Sequence, residues 1–189
     1  MSSRRKLTSI SVLLAILAAL AALFGHAPRR QGHISLPPAQ RSAPVTAGMA
    51  RITKIVDGDT VHALFKSENG ELREEKVRLY GINAPELHPR PGQSWSEFTV
   101  QPFAQAANDF LEKLCPVGSE VKIEEYGRDR YERLLGVLVL PDGRDVNKLL
   151  VEAGLARAYF LKSQKSDPLR LDYEHAQEAA QSAHKGIWN

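Results

Sequence analysis

Alternation of apolar and polar positions dominates the chain from residue 50 onward. Arg51-Ile52-Thr53-Lys54-Ile55-Val56 and Thr60-Val61-His62-Ala63-Leu64-Phe65 read as a strand pair joined by the turn-forming Asp57-Gly58-Asp59. Asn69-Gly70 is a hairpin signal, after which Lys76-Val77-Arg78-Leu79-Tyr80-Gly81-Ile82 predicts another strand. Val121 and Ile123 alternate with Lys122 and Glu124, and Leu134–Leu140 is an apolar run closed by Pro141-Asp142-Gly143, which brings the count to five short strands. Helical spacing takes over in Pro102–Leu114, where Phe103, Ala106, Ala107, Phe110 and Leu114 share one face and Gly118 follows as a stop. Asn147–Ala153, ended by Gly154, and Leu169–His184, with Gly186 after it, predict two more helices. Strands and helices do not alternate regularly, which argues against a parallel sheet. The pattern predicts an α+β, mainly β, fold in which antiparallel strands close into a small barrel.

The pattern is different before residue 49. Arg4, Arg5 and Lys6 precede the uncharged stretch Leu7–Pro28, inside which Val12–Phe24 is unbroken Ala, Val, Ile, Leu and Phe. Charge followed by an apolar run is the composition of an export signal, and the 22 uncharged residues are long enough to span a bilayer. Ala19-Leu20-Ala21 lies inside the apolar core and Gly25-His26-Ala27 is followed by Pro28, so neither makes a good cleavage site. The expectation is an uncleaved anchor over 1–28, with a secreted or periplasmic product as the outcome if it is cut. Residues 29–48, holding Pro, Ser, Gln and Gly, read as a flexible tether, and 49–189 as the domain, carried on the outer side of the membrane in the cell envelope.

Charge sharpens this division. Residues 1–48 hold six basic side chains and no acid, so residues 49–189 hold 19 basic against 22 acidic groups, a net charge of −3. Broad electrostatic attraction to nucleic acid would need a basic domain, so any phosphate chemistry here rests on a local cluster. A single cysteine, Cys115, excludes an internal disulfide and any zinc site needing two thiolates, and reads as a small buried residue. The six histidines form no pair at metal-binding helical spacing. Trp188 reads as an anchor packed on the last helix.

Singly, the polar residues of the domain have ordinary readings. Asp57 and Asp59 beside Gly58 are turn chemistry, Arg78 between Val77 and Leu79 is a surface ion-pair partner, and Glu86 after Asn83-Ala84-Pro85 is a loop acid. Arg128, Arg130 and Arg133 with Asp129 and Glu132 make a mixed charge run typical of a solvated hairpin. Together they are the parts required for metal-assisted phosphodiester hydrolysis. An exposed turn Asp and neighbouring oxygens can hold a hard cation, guanidinium groups can grip phosphoryl oxygens, and a carboxylate can position or deprotonate water.

In order and spacing, IVDGDTV, VRLYGINAPE, DRYERLLG, VNKLLVEAGLARAY and the closing GIW resemble the staphylococcal nuclease family over about residues 50–188. The resemblance implies a five-stranded OB-type barrel with three helices, and a calcium-dependent nuclease acting on DNA and RNA that leaves 3′-phosphorylated products. It further implies metal ligation by Asp59, by Asn83 and by the Ala84 carbonyl, catalytic roles for Arg78, Glu86 and Arg133, and substrate contacts by Arg130, Tyr131 and Tyr159. Two positions depart from the family pattern. Asn83 stands where Asp is usual, which removes one negative charge and implies weaker calcium binding or service by another divalent ion. Glu132 stands where Gly is usual, which either shields Arg133 or faces solvent. The competing class is a catalytically weak OB module that binds single strands or a protein partner, although no protein partner is specifically implied.

Overall fold

The computed structural model describes residues 46–189 apart from 68, 90 and 91; the expected anchor, and the expected tether up to residue 45, lie outside the described residues. In chain order the elements are strands β1 (Thr46–Asp57), β2 (Thr60–Lys66), β3 (Leu72–Leu79) and β4 (Ile82–Asn83), helix α1 (Ala104–Leu114), strands β5 (Glu120–Arg128) and β6 (Leu134–Val139), helix α2 (Val146–Glu152), strand β7 (Arg157–Ala158) and helix α3 (Pro168–Ser182). Short 3-10 turns at Lys162–Gln164 and Gly186–Trp188 complete it. Among the described residues no helix is long and apolar enough to cross a membrane.

Five strands close a barrel in the order β1-β2-β3-β6-β5, with β5 returning to β1. This is the five-stranded, three-helix OB-type architecture, mainly β, that the sequence implies. Closure differs from the antiparallel expectation at one seam, because β3 and β6 run parallel, pairing Val77 with Leu134 and Arg78 with Leu135. Strand β1 also begins earlier than its alternation suggests: residues 46–48, expected as tether, pair with Glu125, Glu124 and Ile123. Alternate inward positions fill the barrel, so Ile52, Val61, Val77, Leu79, Val121, Ile123 and Leu138 are all buried. Each such side chain contributes about 1.5–3 kcal/mol relative to exposure.

The predicted strand Lys76–Ile82 is broken in two. Gly81 has φ 75° and a Cβ there would lie 2.7 Å from the Phe160 ring, so the chain turns at a position only glycine suits. Ile82–Asn83 then leaves the barrel and pairs with Arg157–Ala158.

Helix α1 packs on β1, and its buried face is Ala104, Ala107 and Leu111 with Cys115 at its end. The predicted face carrying Phe103 and Ala106 is rotated. Phe103 adopts left-handed φ 66°, the helix starts after it, and both Phe103 and Ala106 are exposed. Burial pushes the Cys115 thiol up to about 12, so it is an inert core group. Helix α2 is fastened to the barrel by Asn147, fully buried, which donates to the carbonyls of Tyr80 (2.9 Å) and Gly136 (3.0 Å) and accepts from Leu138 N–H (3.2 Å). Asp145 and Asp167 cap α2 and α3, and each accepts a tyrosine hydroxyl at 2.6 Å, from Tyr173 and Tyr80 respectively. Trp188 is half-buried in the last turn, its ring under the Arg157 guanidinium at 4.5 Å.

Candidate functional site

The site grows from the register of the first hairpin. Thr60 pairs with Arg78, and Leu79 N–H donates to the Asp59 carbonyl at 2.8 Å, so the Asp-Gly-Asp turn ends beside Arg78. Helix α1 holds that turn from the other side. A Cβ at Gly58 would lie 2.5 Å from the Cβ of Ala107 and 3.0 Å from that of Ala84, so only glycine lets helix, turn and the Asn83–Pro85 segment close together.

Asp59 is therefore buried, not exposed as a turn residue would be. Its carboxylate accepts from Ala84 N–H at 2.7 Å and from the Thr60 hydroxyl at 3.1 Å, and is ion-paired with Arg78. Arg78 also donates to the Asp59 carbonyl at 3.3 Å and to Asn83 Oδ1 at 2.9 Å. One guanidinium thus bridges two of the expected metal-ligand side chains, and the third position, Ala84, touches Asp59 through its backbone. Asp57, read from sequence as a plain turn residue, belongs to the same group. It is buried and accepts from Asp59 N–H, at 3.4 Å. Burial, the Asp59 charge, a hydrogen bond between the two carboxyl groups and the Glu86 charge push its carboxyl up to about 7, against the Asp59 N–H, which favours the charged form. The only sequence signal for Asp57 was its spacing of two from Asp59 across a glycine.

Glu86 is half-buried on the segment after β4, and its charge is felt at Asp57. Two reciprocal bonds pin it, Glu86 N–H to Gln101 Oε1 at 3.1 Å and Gln101 N–H to the Glu86 carbonyl at 3.2 Å. Arg133 immediately precedes the β6 residue paired with Val77, one rung from Arg78. Its guanidinium is paired with Asp129 at 2.7 Å, and Asp129 also accepts the N–H groups of Tyr131 and Arg133. Tyr131 is exposed and contacted by two guanidinium groups, Arg130 at 4.7 Å and Arg133 at 5.5 Å from the ring centre. The structure thus gathers Asp59, Arg78, Asn83 and Ala84 into one contact group with Glu86 beside it. The trio Arg130, Tyr131 and Arg133 forms its own stack on the β5–β6 hairpin. Tyr159 is exposed elsewhere on the rim, its N–H donating to the Gly81 carbonyl at 2.8 Å.

Sequence reasoning passed over Arg157. It pairs directly with Asn83 across the two-stranded sheet and lines a cleft of about 420 Å³ together with Asn83, Ala84 and Phe103. No local signal marks it, since two-residue strands carry no periodicity.

A family model described as staphylococcal nuclease homologue matches residues 76–189. The chain belongs to the staphylococcal nuclease homologue family. It is similar to Endonuclease YhcR of Bacillus subtilis (strain 168), 30% identical over 166 residues that cover 86% of this chain but only 13% of that protein. It is likewise 30% identical over 139 residues to an uncharacterized endonuclease of Escherichia coli O157:H7, covering 74% of this chain and 76% of the relative. Micrococcal nuclease of Shigella flexneri is 30% identical over 146 residues, 73% of this chain and 72% of the relative.

Within this family frame, the oxygen donors fit a hard cation. Asp59 supplies a carboxylate oxygen and Asn83 an amide oxygen, both already turned toward the cationic Arg78. Among the described residues no three His, Cys, Asp or Glu side chains form a ligand cluster. Ala84 meets this pair through its N–H, which donates to Asp59, and not through the carbonyl that the resemblance assigns as a ligand. Glu132, the other departure, has φ 61°, a conformation that glycine adopts without strain, and is exposed.

Proposed function

We propose that this chain hydrolyses phosphodiester bonds of DNA or RNA with the help of a divalent cation, calcium being the first candidate, and leaves 3′-phosphorylated ends. The observation that carries the reading is the Arg78 guanidinium held between Asp59 and Asn83, with Glu86 on the following segment, its backbone pinned to Gln101 and its charge felt at Asp57. Relatives named as nucleases support it. Asp59, Asn83 and the Ala84 carbonyl would hold the cation, which when bound polarises a phosphoryl oxygen and lowers the cost of its developing negative charge. Arg78 offers N–H donors to the phosphoryl oxygens from one side, and Arg133 can do so from the hairpin by exchanging Asp129 for phosphate. Glu86 orients the attacking water or takes its proton; the phosphorus–oxygen bond to the 5′-oxygen breaks and that oxygen receives a proton. Arg130 and Tyr131 would contact a terminal phosphate, and Tyr159 the nucleotide.

The apolar run before residue 29 would tether this activity to the membrane, with the domain exported; composition supports this part. The Asn83 exchange, which removes one negative charge from the expected ligand set, favours one competing reading, a module that binds strands without cutting them; the charge of −3 over residues 49–189 weakens strand binding in either reading.

Cleavage of a fluorescent single-stranded DNA by the full chain, with calcium and with chelator, separates the two. Calcium-dependent cleavage that falls about a hundredfold in both Glu86→Ala and Arg133→Ala is expected, since one transition-state contact commonly contributes that much. A parent that cuts no faster than the variants under any divalent ion would leave only the binding module.

A further inference from the structure

The cleft of about 420 Å³ beside β4 and β7 shares a wall with the site already described. Asn83 lines it, and the same side chain accepts from Arg78 through Oδ1 at 2.9 Å, so the cleft begins where the Arg78 group ends. Gln101 lines it too, and its oxygen accepts Glu86 N–H at 3.1 Å. Both carboxamide oxygens are thus engaged by groups that can only donate, and what each amide can offer an incoming group is its N–H pair. Arg157, the cross-strand partner of Asn83, supplies a third donor. Cross-strand partners project from the same face of a sheet, which sets Arg157 beside Asn83 as Arg78 is.

The state of Arg157 selects the occupant. Among the described residues every arginine except Arg130 and Arg157 is ion-paired with a carboxylate, and Arg130 donates to the Tyr131 hydroxyl. Arg157 is exposed and rests on the Trp188 ring, its Cζ 4.5 Å from the ring centre. Stacking occupies the face of a guanidinium and leaves the N–H donors in its plane free. No acidic side chain lines the cleft. A guanidinium held by its face, beside two amide N–H groups, is the chemistry of a phosphate site. Phe103, which its left-handed backbone leaves 40% exposed, and Ile187 add an apolar wall against which the rest of a nucleotide can lie.

We propose that Arg157, with the N–H groups of Asn83 and Gln101, binds the phosphate that adjoins the one at Arg78 on the same strand. The inference rests on the nuclease reading for the phosphate at Arg78, but binding at Arg157 needs no hydrolysis. Residues 49–189 are net −3, so a strand gains affinity here from local cations and not from general attraction to its phosphates. Arg157 is a positioning residue, since it meets the neighbouring phosphate and not the reacting atoms. Because Asn83 is bonded to Arg78 and Gln101 to Glu86, a phosphate held in this cleft fixes the strand relative to both.

The test is the salt dependence of strand binding by the full chain in the presence of chelator, so that nothing is cut. Each phosphate contact on a single strand contributes about 0.7 to the slope of log affinity against log salt. Arg157→Gln keeps most of the stem against Trp188 and removes the charge. It is expected to bind a labelled single-stranded DNA of about twelve nucleotides roughly tenfold more weakly at low salt, and to lower the slope by about 0.7. Arg157→Lys keeps the charge without the planar fork, and is expected to hold the parental slope with a smaller loss of affinity. Arg144→Gln makes the same change of charge on an exposed turn, where Arg144 is paired with Asp142 at 2.7 Å, and is expected to leave slope and affinity near parental. Arg157 is exposed, so near-parental melting temperatures are expected for its variants and exclude a folding defect. An Arg157→Gln protein that matches Arg144→Gln in slope and affinity overturns the phosphate site, and the nuclease reading stands if the parent cuts. Weaker binding with an unchanged slope also overturns it, and marks Arg157 as a structural partner of Trp188. A parent that never cleaves, yet loses the same slope in Arg157→Gln, would instead remove the nuclease reading and keep the phosphate site.

Discussion

The two arginines proposed to face the reacting phosphate sit in opposite surroundings. Arg78 is 14% exposed and bonded three ways to Asp59 and Asn83, within a group closed over by helix α1. Arg133 is on a hairpin with one carboxylate partner, Asp129, that solvent can replace, and an exposed tyrosine against its guanidinium. A part-buried guanidinium bonded to two anchored partners is held in place with N–H donors to spare, whereas a more exposed one with a single exchangeable partner can turn to a ligand. On the proposed reading the difference divides the labour of the site: the β2–β3 rim would set where the phosphate sits, and the hairpin would supply a group recruited to it.

Stability separates the two arginines most sharply. Arg78→Ala leaves Asp59 buried without its countercharge and is expected to lower unfolding free energy by about 3 kcal/mol, the usual cost of breaking one side of a buried pair. Arg133→Ala removes a half-exposed pair and is expected to cost about 1 kcal/mol or less. Urea denaturation of both variants measures this directly, and equal losses would erase the distinction. Both changes are expected to abolish most cleavage, so activity alone does not tell a structural arginine from a recruited one.

Much of the rim was readable from residues because its parts are close in sequence and joined by one hairpin. Once Thr60 is opposite Arg78, Asp59, Arg78, Asn83 and Ala84 have little choice but to meet. Asp57 was not readable, since Asp-Gly-Asp is equally good turn chemistry, and its burial arises from α1 packing on Gly58 from fifty residues away. The rotated face of α1 had the same origin: periodicity places Phe103 inside, and the left-handed backbone at that residue, a local departure with no signature in apolar spacing, puts it outside. The parallel β3–β6 seam and the Asn83–Arg157 rung depend on long-range closure, which alternation within a strand does not encode.

Restoring the missing charge tests whether the rim is limited by its donors. Asn83 accepts from Arg78 through a neutral oxygen. Asn83→Asp would add a second carboxylate to Asp59, and calcium affinity is tuned by ligand charge. Affinity is expected to rise on the order of tenfold by calorimetry, and calcium should raise the melting temperature of the variant more than that of the parent, because a ligand specific to the folded state stabilises by mass action. Unchanged affinity would mean that the second acid position is not a ligand in this chain, and that the fixed rim serves Arg78 alone.

The hairpin offers the smallest and most diagnostic change. Glu132 holds φ 61° between Tyr131 and Arg133, and its carbonyl accepts from Arg128 at 2.8 Å while its N–H donates to the Asp129 carbonyl at 3.1 Å. The turn is thus set by backbone bonds that any residue can make, and the left-handed backbone is a cost of about 1 kcal/mol that glycine does not bear. Glycine gains entropy when unfolded, which offsets part of that relief. Glu132→Gly is therefore expected to raise stability by about 1 kcal/mol or less in urea. Cleavage should stay within about twofold, because an exposed carboxylate is screened by salt and solvent. A marked gain in rate at low salt would instead show Glu132 shielding Arg133, which would make the charge on this turn, in addition to Asp129, part of what holds the recruited arginine back from phosphate.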